Sequence, residues 1–230
     1  MPAQRNAVVV RGGWDGHVPV EATDSFLPFL ESNGYDVSVH DTLDVYLVTD
    51  TMAAADLIVQ CWTMGEITGD QFRALSAAVR SGTGFAGWHG GIVDAFRATT
   101  EYFWLTGGQF MAHPGGQVDH EIVVTSDHEI VKGIDRIPLH SEQYWVGTDA
   151  ANDVLATTTF AAGYADLGRP GPEVEEVTVP AVWTRRWAAG RIFVATMGHG
   201  LVDLDIPEVR TIIERGLVWA SRRPDGGGRG

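Results

Sequence analysis

The stretch GFAGWHGG, residues 84–91, decides how the rest of the chain is read. Five apolar or small residues, Gly84 to Trp88, stop abruptly at a histidine that two glycines follow. A short apolar run bounded by glycine predicts a buried strand. A sharp turn from such a strand into a helix is how α/β enzymes hold up a reactive side chain. Elbows of this kind usually carry Ser or Cys, whereas here the apex falls on Trp88 or His89.

Outward from this turn, strands alternate with helices. NAVVVRG (Asn6–Gly12), YDVSVHD (Tyr35–Asp41) and DLIVQCW (Asp56–Trp62) read as strands, two of them fully buried. Val18 to Glu31 is predicted as one helix, with Pro19 early and Gly34 beyond its end. Thr68 and Gln71 form a capping-box pattern opening a helix to Arg80, with Phe72, Leu75, Ala78 and Val79 on one face. Short connections between alternating elements imply an α/β fold with a doubly wound, mostly parallel sheet. From Phe110 the pattern turns into an additional β-rich segment, in which HEIVVT (His120–Thr125) is clearest. Ala181–Arg186 and Arg191–Met197 read as a hairpin, and Pro207–Ala220 as a final amphipathic helix. Residues 1–221 are expected to form a single domain, and the polar tail 222–230 to be disordered.

Composition narrows the function. A chain of 230 residues, 44% hydrophobic, can bury a sizeable core. Thirty acidic against sixteen basic residues give a net charge of −14, which argues against nucleic acid and anionic membranes as partners. No apolar run approaches the roughly 18 residues of a membrane span, and MPAQRNAVVV lacks the pattern of a signal peptide. The single cysteine, Cys61, allows no internal disulfide and suits a reducing compartment. A cytoplasmic protein is expected, and self-association into a homo-oligomer stays open.

Ligands of open α/β sheets bind beyond the carboxyl ends of the strands. The segments there are GGWDGH (Gly12–His17), CWTMGE (Cys61–Glu66) and WHGG (Trp88–Gly91), rich in Trp, His and acidic residues. A helix starting after Gly90-Gly91 would aim its positive end at His89 and favour a neutral ring, fit to accept a proton or bind a metal. His89, His113 in AHPGG, Glu142 in SEQYW and His199 in GHG are the candidate catalytic residues. Trp14, Asp15, His17, Trp62, Trp88, Asp94, Gln109, Gln143 and Tyr144 are the candidate substrate contacts. Aromatic rings stack on the C–H faces of sugars while polar tips bind the hydroxyls, so a small-molecule sugar is the expected ligand. Asp94 could equally form an ordinary helix pair with Arg97. His40, His120, His128 and His140 are read as structural. No H-E-x-x-H motif supports a metal, so a divalent ion on His89, His113 and His199 stands beside a metal-free acid–base cluster.

These pieces match a family. Residues 82–116, GTGFAGWHGGIVDAFRATTEYFWLTGGQFMAHPGG, followed by DHEI, SEQYW and GRIFVATMGHG, resemble the ThuA-like (trehalose utilisation) family over nearly the whole chain. That resemblance implies a class I glutamine amidotransferase-like, flavodoxin-like fold, in which a Cys stands at the elbow and a His follows the last strand. His199 keeps the second feature, while Trp88-His89 replaces the first and Cys61 lies on an earlier strand. Thiolate glutaminase chemistry is therefore not expected, since fold does not fix chemistry. The resemblance further implies disaccharide catabolism beside an NAD-dependent sugar oxidoreductase that makes 3-keto-glycosides. A 3-keto group acidifies the neighbouring C2 hydrogen, so the chemistry needs a base, an acid and an enolate stabiliser. The expectation is an enzyme that eliminates, hydrolyses or isomerises such a sugar by His/Glu acid–base chemistry. The alternative is a non-catalytic sugar-binding or regulatory protein on the same fold.

Overall fold

Consecutive residues of the first strand, β1 (Arg5–Gly13), serve two different cores. Ala7 and Val9 face one, Val8 and Val10 the other, and all four are buried. The same alternation divides Leu57 and Val59 from Ile58, and Phe193 and Ala195 from Ile192 and Val194. A strand covered on both faces must be apolar at every position, which is why these segments read as unbroken hydrophobic runs.

The computed structural model describes residues 4–164 and 173–222. After β1 come α1 (Pro19–Asp24), α2 (Leu27–Ser32), β2 (Tyr35–His40), α3 (Thr49–Ala54), β3 (Leu57–Thr63), α4 (Gly69–Arg80), β4 (Gly84–Trp88) and α5 (Gly90–Val93). The middle of the chain supplies α6 (Thr100–Thr106), β5 (Gly108–Ala112), β6 (Gln117–Val124), β7 (Arg136–Glu142), β8 (Trp145–Thr148) and β9 (Asp153–Phe160). The short pair β10 (Gly163–Tyr164) and β11 (Glu173–Val174) precedes β12 (Val177–Trp187), β13 (Gly190–Ala195), α7 (Leu201–Leu204) and α8 (Pro207–Ala220). Helix α8 covers one face of the sheet with Val209, Ile212, Ile213 and Leu217; α4 covers the other with Leu75, Ala78 and Val79. The Thr68–Gln71 capping box forms in both directions, as the sequence predicts.

One nine-stranded sheet runs in the order β2-β1-β3-β4-β13-β12-β9-β6-β7. The pairings from β2 to β13 are parallel and those from β13 to β7 antiparallel. The sheet is therefore mixed, half parallel and half antiparallel, where a mostly parallel one was expected. Strands β6, β7, β9 and β12 of the additional β-rich segment continue this sheet. A separate antiparallel pair, β5 with β8, stands next to it.

Two expectations change in detail. Val18–Glu31 is broken into α1 and α2, because Pro28 has no N–H to donate and its ring is tolerated only in the first turn of a new helix. Arg222, taken as the first residue of the tail, is half-buried and donates to Ala55 O at 3.1 Å and Thr83 Oγ1 at 2.7 Å. Residues 223–230 lie outside the described residues. Among the described residues, no helix is long and apolar enough to cross a membrane.

Candidate functional site

Four neighbouring parallel strands, β1, β3, β4 and β13, end at one edge of the sheet, and each is followed by a polar group that turns to the same point. His17 follows β1, Thr63 closes β3, His89 follows β4, and Thr196 and His199 follow β13. Glu142 arrives from the antiparallel half, as the last residue of β7. One ligand atom from each of His17, His89, Glu142 and His199 lies within 4.8 Å of all the others.

The turn at His89 is strained. Its backbone sits at φ 47°, ψ −144°, a conformation that a non-glycine residue adopts only when its surroundings enforce it. His89 N–H donates to Ala195 O at 2.7 Å, which carries the β4–β13 ladder one residue past the strand end. The glycines that follow are there for clearance. A Cβ at Gly90 would lie 2.5 Å from His17 Nδ1, and one at Gly91 would lie 2.8 Å from Cys61 Cα. The elbow that the sequence indicates is present, with His89 at its apex.

Glu142 is the hub. Its Oε2 lies 3.2 Å from His89 Nε2, 3.3 Å from His199 Nδ1 and 3.9 Å from His17 Nε2, and its Oε1 lies 3.8 Å from His113 Nε2. Burial alone would raise its carboxyl, but the interactions with His17, His199 and His89 outweigh that and hold it far below the usual carboxylate range. Burial pulls His89 down to about 4, against the opposing pull of Glu142. The ring is neutral at pH 7, as expected, but burial rather than a helix end is the leading cause, and α5 is only four residues long. His199 is raised, first by Glu142 and against partial burial. His89 Nδ1 lies 2.8 Å from Thr196 O, and a carbonyl can only accept, so Nδ1 carries the hydrogen. His17 Nδ1 is held by Thr63 Oγ1 at 2.9 Å.

The candidate substrate contacts divide. Trp14 is 47% exposed and sets its ring edge-on to His17 at 4.8 Å, with exposed Asp15 beside it. His113 is 40% exposed at the rim. Trp88, by contrast, is 1% exposed and packs on Phe26; it belongs to the core and offers no face to a sugar. Tyr144 is buried too, stacked on His89 with ring centroids 4.0 Å apart, so it supports the elbow. Trp62 is half-buried over Gly12 and Gly65. Asp94 is spent on Arg97, at 2.5 and 2.8 Å, in the helix-pair alternative. Gln109 donates to Arg97 O at 3.2 Å. Gln143 points away from its neighbour Glu142 and donates to Thr158 Oγ1 and Thr159 O, which commits it to the sheet. His40, His120, His128 and His140 bond or pack elsewhere, on Ser38, Val118 O, Trp219 and Asp119. Cys61 is 2% exposed and burial pushes its thiol up to about 12, so it holds no thiolate at neutral pH.

Three positioning residues escaped the sequence reading: Thr63, Thr196 and Asp203. Buried Asp203 accepts from Ser141 Oγ at 2.5 Å and from His199 N–H at 3.0 Å, tying the GHG loop to the strand that delivers Glu142. Its only signal was an acidic residue four positions after His199, at the start of α7. A cavity of about 640 Å³ that includes Arg5, Arg191 and Arg215 opens at the amino ends of the parallel strands, the edge opposite to where α/β sheets bind ligands.

The molecule is thus an α/β protein with a His–Glu cluster at the carboxyl edge of its parallel strands. Residues 6–220 match the family model of ThuA, described as trehalose utilisation, and the chain belongs to that family. Among solved structures, it is similar to a ThuA-like protein from Bacteroides uniformis ATCC 8492, with TM-score 0.74 and 15% identity, over 96% of this chain and 93% of that one. A ThuA-like protein from Parabacteroides merdae ATCC 43184 gives 0.70 and 16%, over 95% and 90%. A protein of Salmonella typhimurium LT2 described as cytoplasmic gives 0.65 and 13%, over 94% and 100%. At these identities the likeness is one of fold. No curated protein matches the sequence.

Proposed function

We propose that the cluster acts on a small carbohydrate, a disaccharide or its 3-keto derivative, by proton transfer at the carbon beside a carbonyl. The observation that carries this reading is the convergence of His89 and His199 on one oxygen of Glu142 while His113 faces the other. A base removes the C2 proton, and the electron pair passes into an enolate. The C1–O bond then breaks, the leaving oxygen takes a proton, and an unsaturated keto-sugar and a free alcohol result. His113, at the open rim, exchanges the proton with substrate, and Glu142 orients it. His199, whose ring Glu142 biases towards the protonated form, faces the developing enolate, where preorganised charge is worth most. Trp14 gives the sugar a stacking face.

The family's trehalose-utilisation description supports a sugar substrate. An NAD-dependent sugar oxidoreductase in the same cytoplasm supplies the 3-keto group. The fold is read as amidotransferase-like, with His89 at the position of the elbow cysteine. A purely sugar-binding protein would need an open aromatic pocket, and the burial of Trp88 and Tyr144 speaks against it.

The test incubates purified protein with 3-keto-disaccharides and their parent sugars in D2O, following C2 exchange by NMR and products by chromatography. Exchange and turnover of the keto sugars are expected, reduced about 10²–10⁴-fold in His113→Ala and Glu142→Gln. Saturable sugar binding with neither exchange nor turnover refutes the catalytic reading in favour of the binding protein.

A further inference from the structure

We infer that His17, His89, Glu142 and His199 together bind one divalent first-row transition-metal ion. Four ligands around one ion constrain one another's spacing. With metal–nitrogen distances of about 2.0–2.1 Å, neighbouring ligand atoms of a tetrahedral zinc site lie about 3.3 Å apart. Here two nitrogens lie 3.2 and 3.3 Å from Glu142 Oε2, a third lies 3.9 Å from it, and no pair in the set exceeds 4.8 Å.

Without an ion, the contacts are poorly satisfied. Thr196 O fixes the hydrogen of His89 on Nδ1, so Nε2 turns a bare lone pair towards a carboxylate oxygen, itself only an acceptor. His199 Nδ1 is buried and has no hydrogen bond; its 3.3 Å approach to Oε2 is out of line. A cation among the four converts each of these conflicts into a ligand bond.

The surroundings fit as well. Metal-bound imidazoles characteristically donate their second N–H to a carbonyl or another polar group, which fixes the tautomer. Thr196 O does this for His89, and Thr63 Oγ1 holds Nδ1 of His17. Binding requires neutral imidazole and ionised carboxylate, so affinity for the ion falls as the pH is lowered. Three imidazoles and one carboxylate suit zinc, cobalt, manganese or iron(II) and disfavour the all-oxygen ions magnesium and calcium. His17 and His89 are buried, Glu142 and His199 are partly exposed, and the more exposed Trp14 and His113 stand against His17 and Glu142. His113 stands outside the set, so the ligand group differs from the His89, His113, His199 trio suggested by sequence.

The site follows from the side chains alone; its role of polarising the enolate oxygen rests on the function proposed above. The test uses tag-free protein stripped with chelator, titrated with Zn²⁺ by calorimetry and with Co²⁺ by visible absorption. One ion per chain is expected, bound more than about 100-fold more weakly in His89→Gln and His17→Gln and unchanged in His113→Ala. Circular dichroism and melting of each stripped variant establish that it is folded. A stripped, folded protein that takes up neither ion, or whose affinity ignores His17→Gln and His89→Gln, overturns the site. If that protein still exchanges the C2 proton, the proposed function survives without the metal. If it binds the ion through these residues yet leaves every sugar untouched, the site stands and the function falls.

Discussion

Gln60→Leu is the sharpest test of how the elbow is held. Gln60 is fully buried on β3, where its Oε1 accepts from Tyr46 O–H at 2.9 Å. Its amide donates to Tyr102 Oη at 2.5 Å and to Gly91 O at 3.2 Å, two residues past the apex histidine. Leucine is similar in volume, so the change leaves no large cavity and the orphaned polar groups dominate. Tyr102 keeps a partner, because its hydroxyl donates to Ile92 O at 3.0 Å. Tyr46 O–H and Gly91 O lose theirs, at about 1–3 kcal/mol each, or about 2–6 kcal/mol together. For a chain of this size the melting temperature falls about 2–4 °C per kcal/mol, hence by about 4 °C at the least. Urea denaturation of the wild type, Gln60→Leu, Tyr46→Phe and the double variant measures the coupling. The double variant contains neither partner of the Tyr46–Gln60 bond and should be more stable than the sum of the singles implies, by about 0.5–3 kcal/mol. Strict additivity, or a loss below about 1 kcal/mol for Gln60→Leu, would refute the reasoning.

Gly90→Ala drives a methyl group against His17 and should destabilise the fold by about 1–3 kcal/mol while moving His17 off Thr63, which a shifted His17 imidazole resonance would report. An unshifted resonance with unchanged stability would contradict the clearance argument. The Cys61 thiol, buried and pushed up to about 12, should ignore a disulfide reagent until the protein unfolds, and Cys61→Ser should retain turnover. Rapid native labelling, or loss of turnover in a folded serine variant, would restore a thiol mechanism. The two tryptophans should separate cleanly. Trp88→Ala costs about 3–5 kcal/mol of stability. Trp14→Ala leaves the melting temperature within a degree or two but weakens sugar binding, as calorimetry would measure.

The parallel half of the fold was legible because burial on both faces writes an uninterrupted apolar run into each strand. The antiparallel half was not. The pattern of β7, alternately exposed and buried, identifies a strand without saying which neighbour it pairs with. At the site, position along the chain was legible and facing was not. Trp88 ends its strand as expected, but alternation places it with Ala86 in the core that includes Phe26. Glu142 and Gln143 are adjacent and turn opposite ways, one to the histidines and one to Thr158. His17, read among the substrate contacts, lies inside the cluster, and His113, read among the catalytic residues, lies at its rim. Thr63, Thr196 and Asp203 act through hydrogen bonds across 46, 107 and 62 residues, which no local motif records.

Glu142 reaches His89 across 53 residues of chain and from the other half of the sheet. The cluster residues run from His17 to His199, so no short contiguous fragment of the chain contains them all. A fragment ending before β7 would lack the hub, and it would also lack β13, whose end supplies Ala195 O and Thr196 O to His89. The cluster is consequently a checkpoint on assembly: it exists only when both halves of the sheet have docked in register. Whatever binds there discriminates against every partly folded form, so its binding free energy adds to global stability rather than to any local segment. Occupancy of this one point reports whether the whole chain has folded.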